Sequence, residues 1–125
     1  MSVQASPSSS VVLLDSVTQT TAEHAGCVVV TGSHAGRSVV RYALAVPAKL
    51  YVFNDAGVGK QGAGIAALTE LEAHGIAAVA VAHTSARIGD ALDTWEHGII
   101  STVNAPARTL GLAPGRRLRE ALAAL

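Results

Sequence analysis

Three polar, glycine-rich clusters, each placed straight after a short apolar run, hold most of the side chains in this chain that could do chemistry. The first, TGSHAG at 31–36, brings Thr31, Gly32, Ser33, His34 and Gly36. Its backbone N–H groups, at a strand-to-helix turn, suit an anion, and a hydroxyl and an imidazole stand beside them. The second, NDAGVGK at 54–60, brings Asn54, Asp55, Gly57, Gly59 and Lys60. Polar side chains directly after a buried strand are costly unless paired, so Asn54 and Asp55 read as members of a network or a site. The third, HTSARIGD at 83–90, brings His83, Ser85, Arg87 and Asp90. The planar fork of Arg87 suits a carboxylate or phosphate, and its plainer role is an ion pair with Asp90 or Asp93 that pins the loop.

Taken as a set, these groups point to a compact anionic substrate, a carboxylate first, and to metal-independent hydrolysis, elimination or isomerisation. The catalytic candidates are Ser33, His34, Asp55, Lys60, His83 and Ser85. The substrate-binding candidates are Thr31, Gly32, Gly36, Asn54, Gly57, Gly59, Arg87 and Asp90. Lys60, His34 or His83 would move protons, and Ser33 or Ser85 would be a nucleophile if a Lys or His lay within hydrogen-bond reach. The alternative is a non-catalytic ligand-binding or accessory subunit of a larger enzyme. Gly59-Lys60 resembles the end of a phosphate-binding P-loop, but Asn54 stands where that motif needs Gly and Gln61 where it needs Ser or Thr. His34, Asp55, His83 and Asp90 are the only metal-ligand set on offer, no HxxxH, HxH or CxxC spacing supports it, and neither a metal nor a cofactor is expected.

The elements that must position these clusters follow from the apolar pattern. Residues 11–14 form a candidate strand, and a weak helix is suggested at 21–25. Strands are expected at 27–31, 50–53 and 76–82, with helices at 37–46, stopped by Pro47, and at 62–74, closed by Gly75. This alternation predicts a single α/β domain over 11–125 with a mainly parallel sheet flanked by helices, after a disordered tail over 1–10. The three clusters then meet at one sheet edge, with Ser33, Asp55 and Arg87 lining one cleft. A further helix is expected over 94–104, on which Ser101 and Asn104 would share a face towards the site. Pro114-Gly115 opens a terminal amphipathic helix with Leu118, Ala121, Leu122 and Leu125 on one side.

Composition excludes several function classes. Net charge is zero and aromatic content 3%, so a nucleic-acid surface, which needs many cations and stacking rings, is not expected. The single cysteine, Cys27, allows no internal disulfide and reads as a buried hydrophobe. No basic leader and no apolar run of about 20 residues is seen, so no membrane contact is expected and the protein reads as cytoplasmic. A homo-oligomer is expected, with Trp95 or the Leu118–Leu125 face at its contact. His24, His74 and His97 read as surface residues.

TGSHAG, FNDAGVGK and SARIGD, with DTWEHGIIS after them, resemble a family of small uncharacterised α/β proteins over roughly residues 27–112. The resemblance implies a shared site at these loops and carries no reaction with it.

Overall fold

The computed structural model describes residues 10–125. The tail expected over 1–10 therefore lies outside the described residues except for Ser10, whose carbonyl accepts the Val28 amide at 2.8 Å. Five strands form one sheet in the order β1 (Val11–Leu14), β2 (Val28–His34), β3 (Leu50–Asn54), β4 (Ala78–Val81) and β5 (Ile100–Val103). The first four run parallel and β5 runs antiparallel to β4. The helices are α1 (Val40–Ala45), α2 (Ala66–Ala73), α3 (Ala91–His97), α4 (Ala105–Thr109) and α5 (Leu118–Leu122).

Strand side chains alternate between two faces, and each face has its own core. Val29, Tyr51, Phe53, Ala78 and Ala80 pack against Val17, Val40, Ala43, Leu68 and Leu71. These partners come from the three connections that join β1 to β2, β2 to β3 and β3 to β4. Crossovers of one hand between strands laid side by side in chain order must share a face, and they do. Val28, Val30, Leu50, Val52, Val79 and Val81, with Ile100 of β5, point the other way, onto Ala107, Leu118 and Leu122. The inner strands β2, β3 and β4 are thus apolar on both sides, as a sheet covered twice requires.

Helix ends follow local chemistry. At the end of α2 the Ile76 amide reaches back to Leu71 and the Gly75 amide to Glu72, the paired bonds of a Schellman cap. The helix expected over 62–74 begins late: residues 60–65 form 3₁₀ turns, with Gln61 and Gly62 at positive φ, before the α-helix starts at Ala66.

The helix expected over 94–104 is corrected. α3 ends at His97, and Ile100, Thr102 and Val103, three β-branched residues among the four of β5, supply the antiparallel edge strand instead. Pro106 does not kink a long helix. It sits in the first turn of α4, where its missing N–H costs nothing, and Asn104 is the N-cap. Of the residues expected at an oligomer contact, Leu118, Ala121 and Leu122 are buried in the chain's own core, and Trp95 packs on that core under the Arg119 guanidinium, 5.5 Å from the ring centroid.

Tyr51 is fully buried, stacks on Phe53 with centroids 5.9 Å apart, and donates its hydroxyl to the Val46 carbonyl at 2.5 Å. Burial pushes its phenol up from the ordinary 10.0 to about 12. A raised folded-state value means the contribution is intact below the unfolded-chain value and is lost as pH rises from there through the folded value. Tyr51→Phe is therefore expected to flatten the loss of stability across that alkaline window, read as melting temperature against pH.

Candidate functional site

Parallel pairing of β2, β3 and β4 brings all three clusters to one edge, and hydrogen bonds knit them together. Asn54, wholly buried, donates its side-chain amide to the Ala86 carbonyl at 3.0 Å and accepts the Ala56 amide at 2.8 Å. The Gly89 amide donates to the Gly32 carbonyl at 2.7 Å, and the Ala35 amide to the Asn54 carbonyl at 3.2 Å. These bonds join the third cluster to the first two.

The centre of the edge is Asp55, 4% exposed at the end of β3. Its Oδ1 accepts the Gly57 amide at 2.8 Å and the His83 amide at 3.0 Å, and lies 3.3 Å from His83 Nδ1. Its Oδ2 accepts the Ser101 hydroxyl at 2.7 Å. Burial by itself raises the Asp55 carboxyl, and the hydrogen bonds from the Ser101 hydroxyl, the Gly57 and His83 amides and the His83 ring outweigh it. The group is held below its ordinary range. The carboxylate thus stays charged, and the ring it touches is 55% exposed. An ionised acceptor facing Nδ1 places the ring proton there and leaves the lone pair on Nε2. The order of groups differs from a serine relay: the carboxylate, not the imidazole, stands between the hydroxyl and its partner.

The remaining candidates have structural partners. Thr31 donates to the Val52 carbonyl at 2.7 Å, and Ser33 Oγ accepts the Val17 amide at 2.9 Å. Ser85 Oγ donates to the Ala82 carbonyl and accepts the Ile99 amide, so it splices the third cluster to the start of β5. Neither serine is hydrogen-bonded to a Lys or His among the described residues. Asp90 is the N-cap of α3, its Oδ1 accepting the Asp93 amide at 2.9 Å. His34 Nδ1 accepts the Gly36 amide at 2.9 Å. Lys60 and Gly59 lie on an exposed loop in which Ala56 and the β-branched Val58 take positive φ, a strained conformation held by its surroundings.

Arg87 pins its loop through the main chain: its amide, not its guanidinium, donates to Asp93 Oδ2 at 2.7 Å. That bond and the His97 ring hold the Asp93 carboxyl below its ordinary range. The Arg87 side chain is exposed and makes no ion pair among the described residues. The ion pair proposed between Arg87 and Asp90 or Asp93 is therefore replaced by a backbone contact.

None of three cavities on the described surface is lined by Ser33, Asp55 and Arg87 together. Asp55 is covered, and the third cluster sits directly on the first. A cavity of 360 Å³ does take in Ser33 and His34, and neither Asp55 nor His83 lines it. His34, Asp55, His83 and Asp90 do not gather as a metal site: no group of three or more His, Cys, Asp or Glu side chains converges among the described residues. No helix among them is long and apolar enough to cross a membrane.

Contact between the first and third clusters makes Gly32 a packing requirement. A methyl group there would overlap the backbone of Gly89 and Asp90. Gly32→Ala is expected to destabilise the fold by about 2–3 kcal/mol, the scale of an overpacked interior, measured by chemical unfolding.

Two residues of the edge escape the three clusters. Ser101 reaches Asp55 from a strand rather than the helix expected for it, while its supposed neighbour Asn104 lies at the opposite end of β4. There Asn104 Oδ1 accepts the Ala78 amide and its Nδ2 donates to the Leu68 and Ile76 carbonyls. Asp15 closes the edge at β1: its carbonyl accepts the Gly32 amide and its Oδ1 the Ala91 amide. Asp15 stands straight after the apolar run 11–14, the signal that marked Asn54 and Asp55.

No protein-family model, no curated protein and no solved structure matches the chain. The resemblance drawn from the three motifs therefore rests on those motifs alone.

Proposed function

We propose that this protein is a small metabolic enzyme in which the Asp55–His83 pair transfers a proton to or from a compact anionic substrate, a carboxylate first. One observation carries the reading: a buried carboxylate, held ionised by three other donors, faces the ring of an exposed histidine at the carboxyl edge of a parallel sheet. Such a pair orients an imidazole and stabilises the imidazolium formed when Nε2 takes a proton. Arg87 and Lys60, both exposed on loops of the same edge, supply the positive charge that holds the anion. With Ser33 and Ser85 lacking a basic partner, elimination or isomerisation, which begin by removing a proton from carbon, fit better than hydrolysis through a serine ester.

A panel of C3 to C6 carboxylates incubated in deuterium oxide tests this. Enzyme-dependent exchange of a carbon-bound proton, read by proton NMR, supports the reading. Absence of exchange across the panel, with a folded protein that still binds one of the compounds, favours the second reading, a ligand-binding or accessory subunit. The cavity beside Ser33 and His34, which is separate from the proton-transfer pair, is what favours that second reading.

A further inference from the structure

We infer that the 360 Å³ cavity between the 3₁₀ turn at 17–19 and α1 is a binding site for a phosphate-bearing small molecule, and that it works independently of the Asp55–His83 pair. Its polar lining consists of donors. Ser33, His34, Ser38, Arg41 and Tyr42 face it, Val17 and Val39 give it an apolar floor, and no Asp or Glu contributes to it. A cavity with hydroxyls, an imidazole and a guanidinium but no carboxylate selects for an oxyanion.

Hydrogen bonds within the walls leave the donors free. His34 Nδ1 is used as an acceptor by the Gly36 amide at 2.9 Å, which places the ring proton of the neutral imidazole on Nε2. Ser33 Oγ accepts the Val17 amide at 2.9 Å, so its own hydrogen remains to be donated. Tyr42 Oη accepts from Arg41 Nη2 at 3.1 Å and likewise keeps its hydrogen. The Arg41 guanidinium lies 5.0 Å from the Tyr42 ring centroid, so the cation is held over an aromatic face rather than neutralised by a carboxylate. Arg41 also lines the adjoining cavity together with Arg37. Arg37, by contrast, is already paired with Glu70, leaving Arg41 as the cation for the ligand.

Four kinds of donor lining one space offer more hydrogen bonds than the two oxygens of a carboxylate take up, and a phosphate, with more oxygens and more charge, can use them all. The ligand is either free phosphate or a phosphate monoester with a small polar remainder, which the other lining hydroxyls, Ser16 and Thr18, would meet.

The experiment titrates the full chain with inorganic phosphate, glycerol 3-phosphate and acetate at low ionic strength, following the His34 and Tyr42 ring resonances by NMR. Saturable shifts with phosphate or glycerol 3-phosphate, absent with acetate, are expected. Tighter binding of the ester identifies a phosphorylated metabolite, and equal binding identifies phosphate itself. Arg41→Ala should weaken binding about 10-fold or more, as for loss of a charge-assisted contact, with an unchanged melting temperature because Arg41 is exposed. Ser33→Ala reports on the wall without touching the cation. His83→Gln should bind as the wild type does, which separates this site from the proton-transfer pair. Shifts that fail to saturate below about 20 mM, or an Arg41→Ala protein that binds as well as wild type, would overturn the assignment.

Discussion

Replacing His83 by glutamine is expected to lower proton exchange on a turned-over carboxylate by about 100-fold or more, the usual scale for removing a general base. The fold should survive. The imidazole is more than half exposed, and the backbone amide of residue 83 keeps its bond to Asp55 whatever side chain follows. Glutamine fills the space but cannot accept and release a proton at the Nε2 position. Asp55→Asn should give a comparable loss by another route, because a neutral amide beside the ring no longer fixes the proton on Nδ1. Nitrogen NMR of the imidazole separates the two effects, since only Asp55→Asn leaves the ring in place with its tautomer redistributed. If His83→Gln retains the wild-type exchange rate, the pair is a structural bond and the proton-transfer reading is lost.

The parts of the fold legible in the sequence were those in which one local signal met no competitor. The runs at 27–30, 50–53 and 76–82 are apolar without interruption, bounded by Gly or polar residues, and each holds a strand buried on both faces. Gly75 and Pro47 marked helix ends for steric reasons that no tertiary contact alters. The stretch from Thr94 to Asn104 misled because Asp93-Thr94-Trp95-Glu96 does lie in a helix, but in the body of one that starts at Ala91 behind the Asp90 cap and ends at His97, while the β-branched run after Gly98 finds its reason only in the open edge of β4. An antiparallel strand there needs a partner that local sequence does not display.

The site divided in the same manner. Polar residues straight after apolar runs marked Asn54, Asp55 and His83, because a strand end buried in a covered sheet can hold a polar side chain only if it is paired. The same rule marks Asp15, at the end of the candidate strand 11–14, where no glycine-rich cluster follows to draw attention to it. What spacing could not show is which polar groups serve each other. Ser85 and Ser101 are both hydroxyls near the edge. Only the register of β5 against β4 decides that Ser101 meets the carboxylate while Ser85 is spent on the backbone.

Asp55 should be the most costly single side chain of the edge to remove. Asp55→Ala strands the amides of Gly57 and His83, and each donor left without a partner costs about 1–3 kcal/mol where water cannot reach it. Water can enter part of the exposed loop, so a net loss of about 3 kcal/mol is expected in chemical unfolding at neutral pH. Asp55→Asn keeps an oxygen for the two amides, and the Ser101 hydroxyl can turn to the Ala80 carbonyl 3.3 Å away, so its loss should be near 1 kcal/mol. Acid then distinguishes charge from shape. Because the folded-state value of Asp55 lies below its ordinary value, the stability that its charge contributes is complete above the ordinary carboxylate range. It drains away as pH falls through that range towards the folded value. The gap in melting temperature between wild type and Asp55→Asn should therefore close as pH falls through the ordinary carboxylate range and below it. Asp93, also held low but on an exposed helix turn, adds its own acid slope, so the comparison is best repeated in an Asp93→Asn background. Parallel loss in both proteins across this window would mean that Asp55 is not held as an anion, and the His83 ring would lose the charge that orients it.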